Sequence, residues 1–225
     1  MPDAALSWGL WSRARGPKRG RYPLTDTAYT LTGTVMRDLV YYVAVSLDGY
    51  IAAPDGNFDA FPVEGAHMPV LLSEFTDAVP AHVLSAIGMG APLDRFDTVI
   101  QGWNSYAVAL AEGIERPCAH LREYVATRSH KDAPEGVTFT ADALETVREI
   151  KQELGKDIYL CGGGDLAGVL LPENDRLILK RNPLVLGDGI RLFRHAGATT
   201  VNFDLERCRS FDSGVIVEEY RRSDR

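Results

Sequence analysis

Apolar and polar positions alternate along this chain in two rhythms, one of strands and one of helices. Leu39 to Val45 (LVYYVAV) carries no charged residue. A run that apolar predicts a strand covered on both faces. Asp48-Gly49 then predicts a turn. Residues 54–66, rich in Gly, Pro, Asp and Asn, read as a loop. Residues 70–86 read as mostly helical, split or restarted at Pro80. A loop over 88–95 leads to a short strand at Thr98-Val99-Ile100 and a helix from Ser105 to Ala111, ending at Gly113. Strands follow at 123–127 and 137–139. Thr140 is placed to cap a helix whose Leu144, Val147, Ile150 and Leu154 line one face, with Gly155 as its stop. A strand at Asp157–Cys161 runs into Gly162-Gly163-Gly164, and a short helix spans Leu166 to Leu171. The remainder is strand-like, at 176–179, 200–209 and 215–220. Alternation finished by a run of strands predicts a mixed sheet flanked by helices.

Residues 1–35 lack either rhythm. They hold Arg13, Arg15, Lys18, Arg19 and Arg21, and Gly16-Pro17 and Tyr22-Pro23 interrupt them. They read as a disordered or extended tail ahead of a single domain over 36–225, with an Arg-rich transit peptide as the alternative.

The composition narrows the function classes. A net charge of -7 argues against general nucleic-acid binding, while leaving room for a local basic pocket around an anionic cofactor. No apolar run approaches the roughly 18 residues that cross a bilayer, so no membrane span is expected. Cys118, Cys161 and Cys208 are odd in number and not closely paired. They suit reduced thiols in the cytoplasm better than disulfides or a zinc site. The five histidines form no metal-ligand spacing, so no metal is expected.

Gly162-Gly163-Gly164-Asp165-Leu166-Ala167 stands between a predicted strand and a predicted helix. Glycines admit an anion close to the backbone, and a helix start offers free N–H groups and a positive dipole end. No Gly-Lys-Ser/Thr follows, so this is not a Walker loop. The letters fit G-x-G-x-x-A, yet the chain beyond is strand-like and lacks the further βα units of a dinucleotide-binding half. A Gly-rich loop in a reductase sheet and a tight turn without ligand remain open.

Five segments, read in order, resemble the dihydrofolate-reductase-like superfamily, and within it the reductase domain of bacterial riboflavin-biosynthesis enzymes. They are Ser46-Leu47-Asp48-Gly49-Tyr50-Ile51-Ala52; Gly102-Trp103-Asn104-Ser105-Tyr106; Tyr124 to Ser129; Gly162 to Leu166; and Pro183 to Gly189 with Leu192-Phe193. The resemblance spans about residues 37–222. It implies an α/β three-layer sandwich: a mixed, mostly parallel sheet, flanking helices and a β-rich C-terminus. It implies hydride transfer from NADPH to a small heterocyclic or sugar-linked, pyrimidine- or pterin-like molecule, in a homodimer. Gly162, Gly163, Gly164, Asp165 and Leu166 would hold the pyrophosphate. Gly102, Trp103, Asn104, Ser105 and Tyr106 would add helix-start donors. Thr127, Arg128 and Ser129 would receive the adenosine end, where a guanidinium beside two hydroxyls suits a 2′-phosphate. Backbone at Ala44 and Val45 would face the nicotinamide. Trp103 stands where the family has Arg, which removes a phosphate-binding charge and bears on the choice between NADPH and NADH.

Hydride transfer asks a protein for orientation, exclusion of water and sometimes one proton. Asp48, just past the first strand, is the candidate catalytic group; a turn pair is the alternative. Glu74, with Asp77 on the same helical face, is a candidate substrate contact, and Tyr50 and Phe58 a candidate apolar floor. His67 is a loop histidine that could donate a proton. Two other readings stay open: a non-catalytic nucleotide-binding or ligand-sensing module on the same fold, and a flavin enzyme using FMN.

Overall fold

The computed structural model describes residues 37–197 and 200–223. The expected N-terminal tail lies outside them. Among the described residues ten strands and five helices follow one another. In chain order they are β1 (Leu39–Val45), β2 (Tyr50–Ala52), α1 (His67–Glu74), a 3-10 turn (Thr76–Ala78), α2 (Ala81–Ala86), β3 (Phe96–Gly102) and α3 (Trp103–Ala111). Then come β4 (Arg122–Ala126), β5 (Val137–Thr140), α4 (Ala143–Lys151), β6 (Asp157–Cys161), α5 (Gly164–Leu170) and a 3-10 turn (Leu171–Glu173). β7 (Arg176–Arg181), β8 (Ile190–Arg191), β9 (Phe203–Ser210) and β10 (Ile216–Arg222) close the chain.

Eight strands form one sheet in the order β5-β4-β3-β6-β1-β7-β10-β9. The first six are parallel, and β10 and β9 add antiparallel pairs at one side. The mixed, mostly parallel sheet read from the sequence is therefore present. Its central strands are buried on both faces, which is why β1 shows no polar alternation. Leu39 and Tyr41 face α4 and α5, packing with Val147, Ile150, Ala167 and Leu170. Val40, between them, faces α1 and packs with Leu71, Phe75, Val99 and Ile178. Helices on both faces complete three layers.

Several local expectations shift for identifiable reasons. The first helical region breaks already at Phe75, and Pro80, the expected restart, stands as the N-cap of α2. Asp142, not Thr140, caps α4, its carboxylate accepting the Glu145 N–H at 3.0 Å. α4 ends at Lys151, before Gly155, and Leu154 is 89% exposed, so the apolar face closes one position early. α3 starts at Trp103, two residues sooner than expected. The two-residue β8, paired with β2, is too short to carry a periodic signal. The edge strand β9 is mostly exposed and carries Asp204, Glu206, Arg207 and Arg209. Such charges discourage edge-to-edge pairing.

Glu123 on β4 is buried beneath α3, taking a hydrogen bond from the Cys118 N–H and facing Arg116. Burial nevertheless pushes its carboxyl from 4.5 up to about 7. The neutral acid fits the fold best, so its contribution is complete below its ordinary range and is lost as pH rises through about 7. Glu123→Gln keeps the acceptor without the charge. In urea unfolding it is expected to match the parent near pH 4 and to exceed it by about 1–3 kcal/mol near pH 8.

Candidate functional site

Parallel strands deliver their C-terminal ends to one side of the sheet, and the sequence-predicted cofactor residues collect there. β3 and β6 are direct neighbours with Gln101 opposite Cys161. Each is followed at once by a helix: α3 begins at Trp103 and α5 at Gly164. Their N-caps are Gly102 and Gly163, both extended, and neither helix has a side-chain cap. Two helix starts with unclaimed N–H groups thus lie side by side, the most favourable backbone arrangement for an anion. A Cβ on Gly102 would sit 3.8 Å from Leu166, so the two starts are in contact.

The three glycines have different tasks. A Cβ on Gly163 would meet nothing within 4 Å. Its surface is open, and a side chain there would project into open space. Gly164 is the opposite case: a Cβ would overlap the Arg191 carbonyl. One turn on, a Cβ at Gly168 would overlap the Arg194 carbonyl. Residues 191–194 therefore lie directly on the bare face of α5, and the Arg194 N–H donates to the Gly164 carbonyl at 2.8 Å. Tyr41, fully buried, directs its hydroxyl at the Gly162 carbonyl (3.2 Å), with the Leu192 carbonyl at 3.4 Å. Burial raises its pKa, so it remains a donor. Leu166 packs inside the core. Asp165 is exposed and lies within ion-pair reach of Arg194 at 3.4 Å.

The segment after β4 meets the first turn of α3. Thr127 is buried; Arg128 and Ser129 are exposed. The Thr127 and Ser129 hydroxyls both lie 3.1 Å from His130 Nδ1. His130 stacks on Trp103 with ring centroids 3.3 Å apart and planes inclined by 10°. Sequence reasoning missed His130, because nothing in the letters links it to Trp103. The stack forms one wall of a cavity of about 490 Å³ that Leu110, Ser129, Lys131 and Phe139 also line. Tyr106 is fully buried and its hydroxyl donates to the Glu115 carbonyl at 2.6 Å, so this ring packs.

The candidate acids are already engaged. Asp48 accepts from the Ser46 hydroxyl (2.6 Å) and from the N–H groups of Gly187 (2.7 Å) and Leu186 (3.2 Å). The Ser46 hydrogen bond and then these backbone donors hold its carboxyl below its ordinary value. It ties the turn after β1 to residues 186–187. Glu74 receives both guanidinium nitrogens of Arg209 (2.7 and 2.6 Å), clasping α1 to β9. Asp77 is buried in the 3-10 turn and accepts N–H groups of Leu93, Arg95 and Phe96. His67 begins α1, fully buried, with Nδ1 2.9 Å from the Ser213 hydroxyl. Burial, then the Lys180 ammonium, holds His67 below its usual pKa. Tyr50 pairs with Arg191 across β2 and β8, whose guanidinium lies 5.5 Å from its ring; Phe58 is partly exposed in the following loop.

A second cavity, of about 110 Å³, opens between α1, α2 and the other face of the sheet. Tyr42, Leu71, Phe75, Val79, Val83 and Lys180 are among its walls. Lys180 is paired across the sheet with Ala44, so it stands beside the end of β1. The sequence hid it: in the strand RLILKR it looks like the polar end of an edge strand.

The RibD C-terminal domain model matches residues 37–217. The uncharacterised protein YwjB of Bacillus subtilis is 31% identical over 192 residues, covering 82% of this chain and 98% of its own. A protein from Shewanella sp. PV-4, assigned to riboflavin biosynthesis, superposes with a TM-score of 0.64 at 18% identity, over 83% of this chain and 99% of the other. Dihydrofolate reductase from Enterococcus faecalis, complexed with NADP(H), superposes with a TM-score of 0.54 at 19% identity, over 83% of this chain and 97% of the other. The architecture is dihydrofolate-reductase-like, as the resemblance implied.

The glycine geometry separates packing from binding. Gly164→Ala and Gly168→Ala are each expected to destabilise the protein by about 2–3 kcal/mol, because backbone must move. Gly163→Ala is expected to stay within about 0.5 kcal/mol. Urea unfolding of the three variants checks this.

Proposed function

The chain belongs to the RibD C-terminal domain family, and on that premise we propose that it is an NADPH-dependent reductase of a small heterocyclic or sugar-linked molecule, pyrimidine- or pterin-like in shape. The observation that carries this reading is the pair of uncapped helix starts on neighbouring strands, with the unfilled Cβ position of Gly163 between them and solvent. The residues fit a dinucleotide: backbone approach is open at Gly163, and hydroxyls and cations stand at the far end of the crevice.

NADPH, when bound, supplies the hydride. The chain's own part is binding and orientation. N–H groups at Gly163, Gly164 and Asp165, with those of Trp103, Asn104 and Ser105, take the diphosphate. Thr127, Arg128, Ser129 and Lys131 receive the adenosine end, and the Trp103–His130 stack replaces the family's guanidinium there with an aromatic wall. This exchange favours weaker discrimination between NADPH and NADH than an arginine gives. Ala44 and Val45 border the nicotinamide. Asp48 acts as a positioning residue, fixing the loop at 186–187 against the end of β1. Substrate enters on the α1 side, near Tyr42, with Tyr50 and Glu74 at its margin.

One observation favours the non-catalytic alternative: Asp48, Glu74 and Asp77 are all committed to other groups, leaving none of these acids free to supply a proton. The three free cysteines fit the reducing cytoplasm. Among the described residues no helix is long and apolar enough to cross a membrane. The homodimer that the resemblance implies is part of this reading.

Trp103 is the sole tryptophan outside the first 35 residues, since the others are Trp8 and Trp11. Titration with NADPH is expected to quench its emission saturably. Gly163→Val is expected to keep the melting temperature and weaken NADPH at least about tenfold. Binding that ignores Gly163→Val, or no binding, overturns the proposal. Saturable binding without NADPH oxidation across pteridine, pyrimidine and carbonyl compounds selects the sensing module, and a yellow purified protein selects flavin.

A further inference from the structure

The Lys180 ammonium has no hydrogen-bond acceptor and no ion-pair partner among the described residues. Its cavity is otherwise apolar or aromatic, built by Tyr42 from β1, Leu71 from α1, Phe75, and Val79 and Val83 around α2. Burial alone pushes its pKa from 10.5 down to about 8. The titratable groups facing it are Tyr42 and His67. Tyr42 stays protonated because burial raises its pKa, and His67 adds no negative charge. Glu74, Arg95 and Arg209, which also act on Tyr42, are tied to one another or to Glu219. The fold thus keeps a cation in an apolar pocket with nothing of its own to balance it.

Such an arrangement opposes stability. A single polar group in an apolar cavity is the usual means of fixing a small ligand's orientation and identity. A stretched lysine whose stem lies along apolar neighbours is the plain alternative; Lys180 is half-buried and is the one charged residue lining this apolar cavity. Lys180 also sits opposite Ala44, at the strand end where the nicotinamide is proposed.

We propose that Lys180 is the specificity-determining residue of the substrate pocket, and that the substrate is a flat ring bearing an anionic oxygen, carboxylate or enolate, which the ammonium binds. This rests on the reductase reading for its link to chemistry but not for the binding itself. The ring would lie on Tyr42, which stacks on Phe75 with centroids 4.5 Å apart, and the anionic oxygen would meet Nζ.

The probe is orotate, a pyrimidine carboxylate, with uracil as its neutral counterpart, titrated calorimetrically into the full chain. Orotate is expected to bind at pH 7 at least tenfold more tightly than uracil, and to weaken as pH rises through about 8. Lys180→Met is expected to weaken orotate at least tenfold, leave the NADPH quench of Trp103 unchanged, and raise the melting temperature at pH 7. The last effect is one that a merely structural lysine would not give. The sign follows from the depressed pKa: the charged form is disfavoured by the fold, so removing it stabilises below about pH 8. Orotate binding equally to parent and Lys180→Met, no orotate binding to the parent, or a lower melting temperature for Lys180→Met at pH 7 overturns the inference. Lost NADPH binding with intact, Lys180-dependent orotate binding overturns the reductase reading alone.

Discussion

Parallel pairing of β3 with β6 brings Gln101 opposite Cys161, and from that register the pair of glycine-capped helix starts follows. Because β3 runs straight into α3 and only Gly162 and Gly163 separate β6 from α5, the paired strand ends become paired helix starts. Because both caps are glycine, no side chain claims the N–H groups. Neither helix alone is long or strongly amphipathic, and each is held by tertiary packing. α5 rests on Ile100 and Leu160 through Leu166 and Ala167, and α3 rests on Val125 and Val137 through Tyr106. Tyr41 adds one hydroxyl between the glycine loop and residue 192. The crevice is therefore a product of the core.

On the opposite face the polar inventory divides unevenly. Every acid singled out from the sequence is paired: Asp48 with backbone donors and Ser46, Glu74 with Arg209, Asp77 with three N–H groups. These contacts fix a turn, a helix and a loop around the mouth of the site. Lys180 is the contrast. It is half-buried in an apolar cavity and no carboxylate lines that cavity beside it. The protein's shape near β1 is thus secured by its carboxylates, and its affinity for a ligand is left to a cation.

The sequence made the frame legible and the site only partly so. An unbroken apolar β1 announced a central strand, and the strand-GGG-helix order announced the crevice. Periodicity placed α4 but overran it at Leu154, because spacing says nothing of where a helix leaves the sheet. The triplet Gly162-Gly163-Gly164 looked uniform in the letters, yet only Gly163 is open; the role of Gly164 depends on residues nearly thirty positions away. Asp48 and Glu74 looked available because their partners, Gly187 and Arg209, are distant in the chain. Lys180 and His130 were invisible for the same reason: each acquires meaning from what lies across the sheet or beside an indole, and no local pattern records that.

The bare face of α5 reaches further than the crevice. Gly168 lies outside the triplet, in the interior of a helix, where glycine is a poor choice on intrinsic grounds. It is tolerated because the Arg194 carbonyl fills the position its side chain would take. The helix and the strap over it are consequently interlocked parts, with no room between them for even a methyl group. A lineage that widened either residue would have to lift the strap, and with it Leu192 and Phe193, off α5. Gly168 is thus a hidden spacer that sets how deep the groove in front of the helix can be.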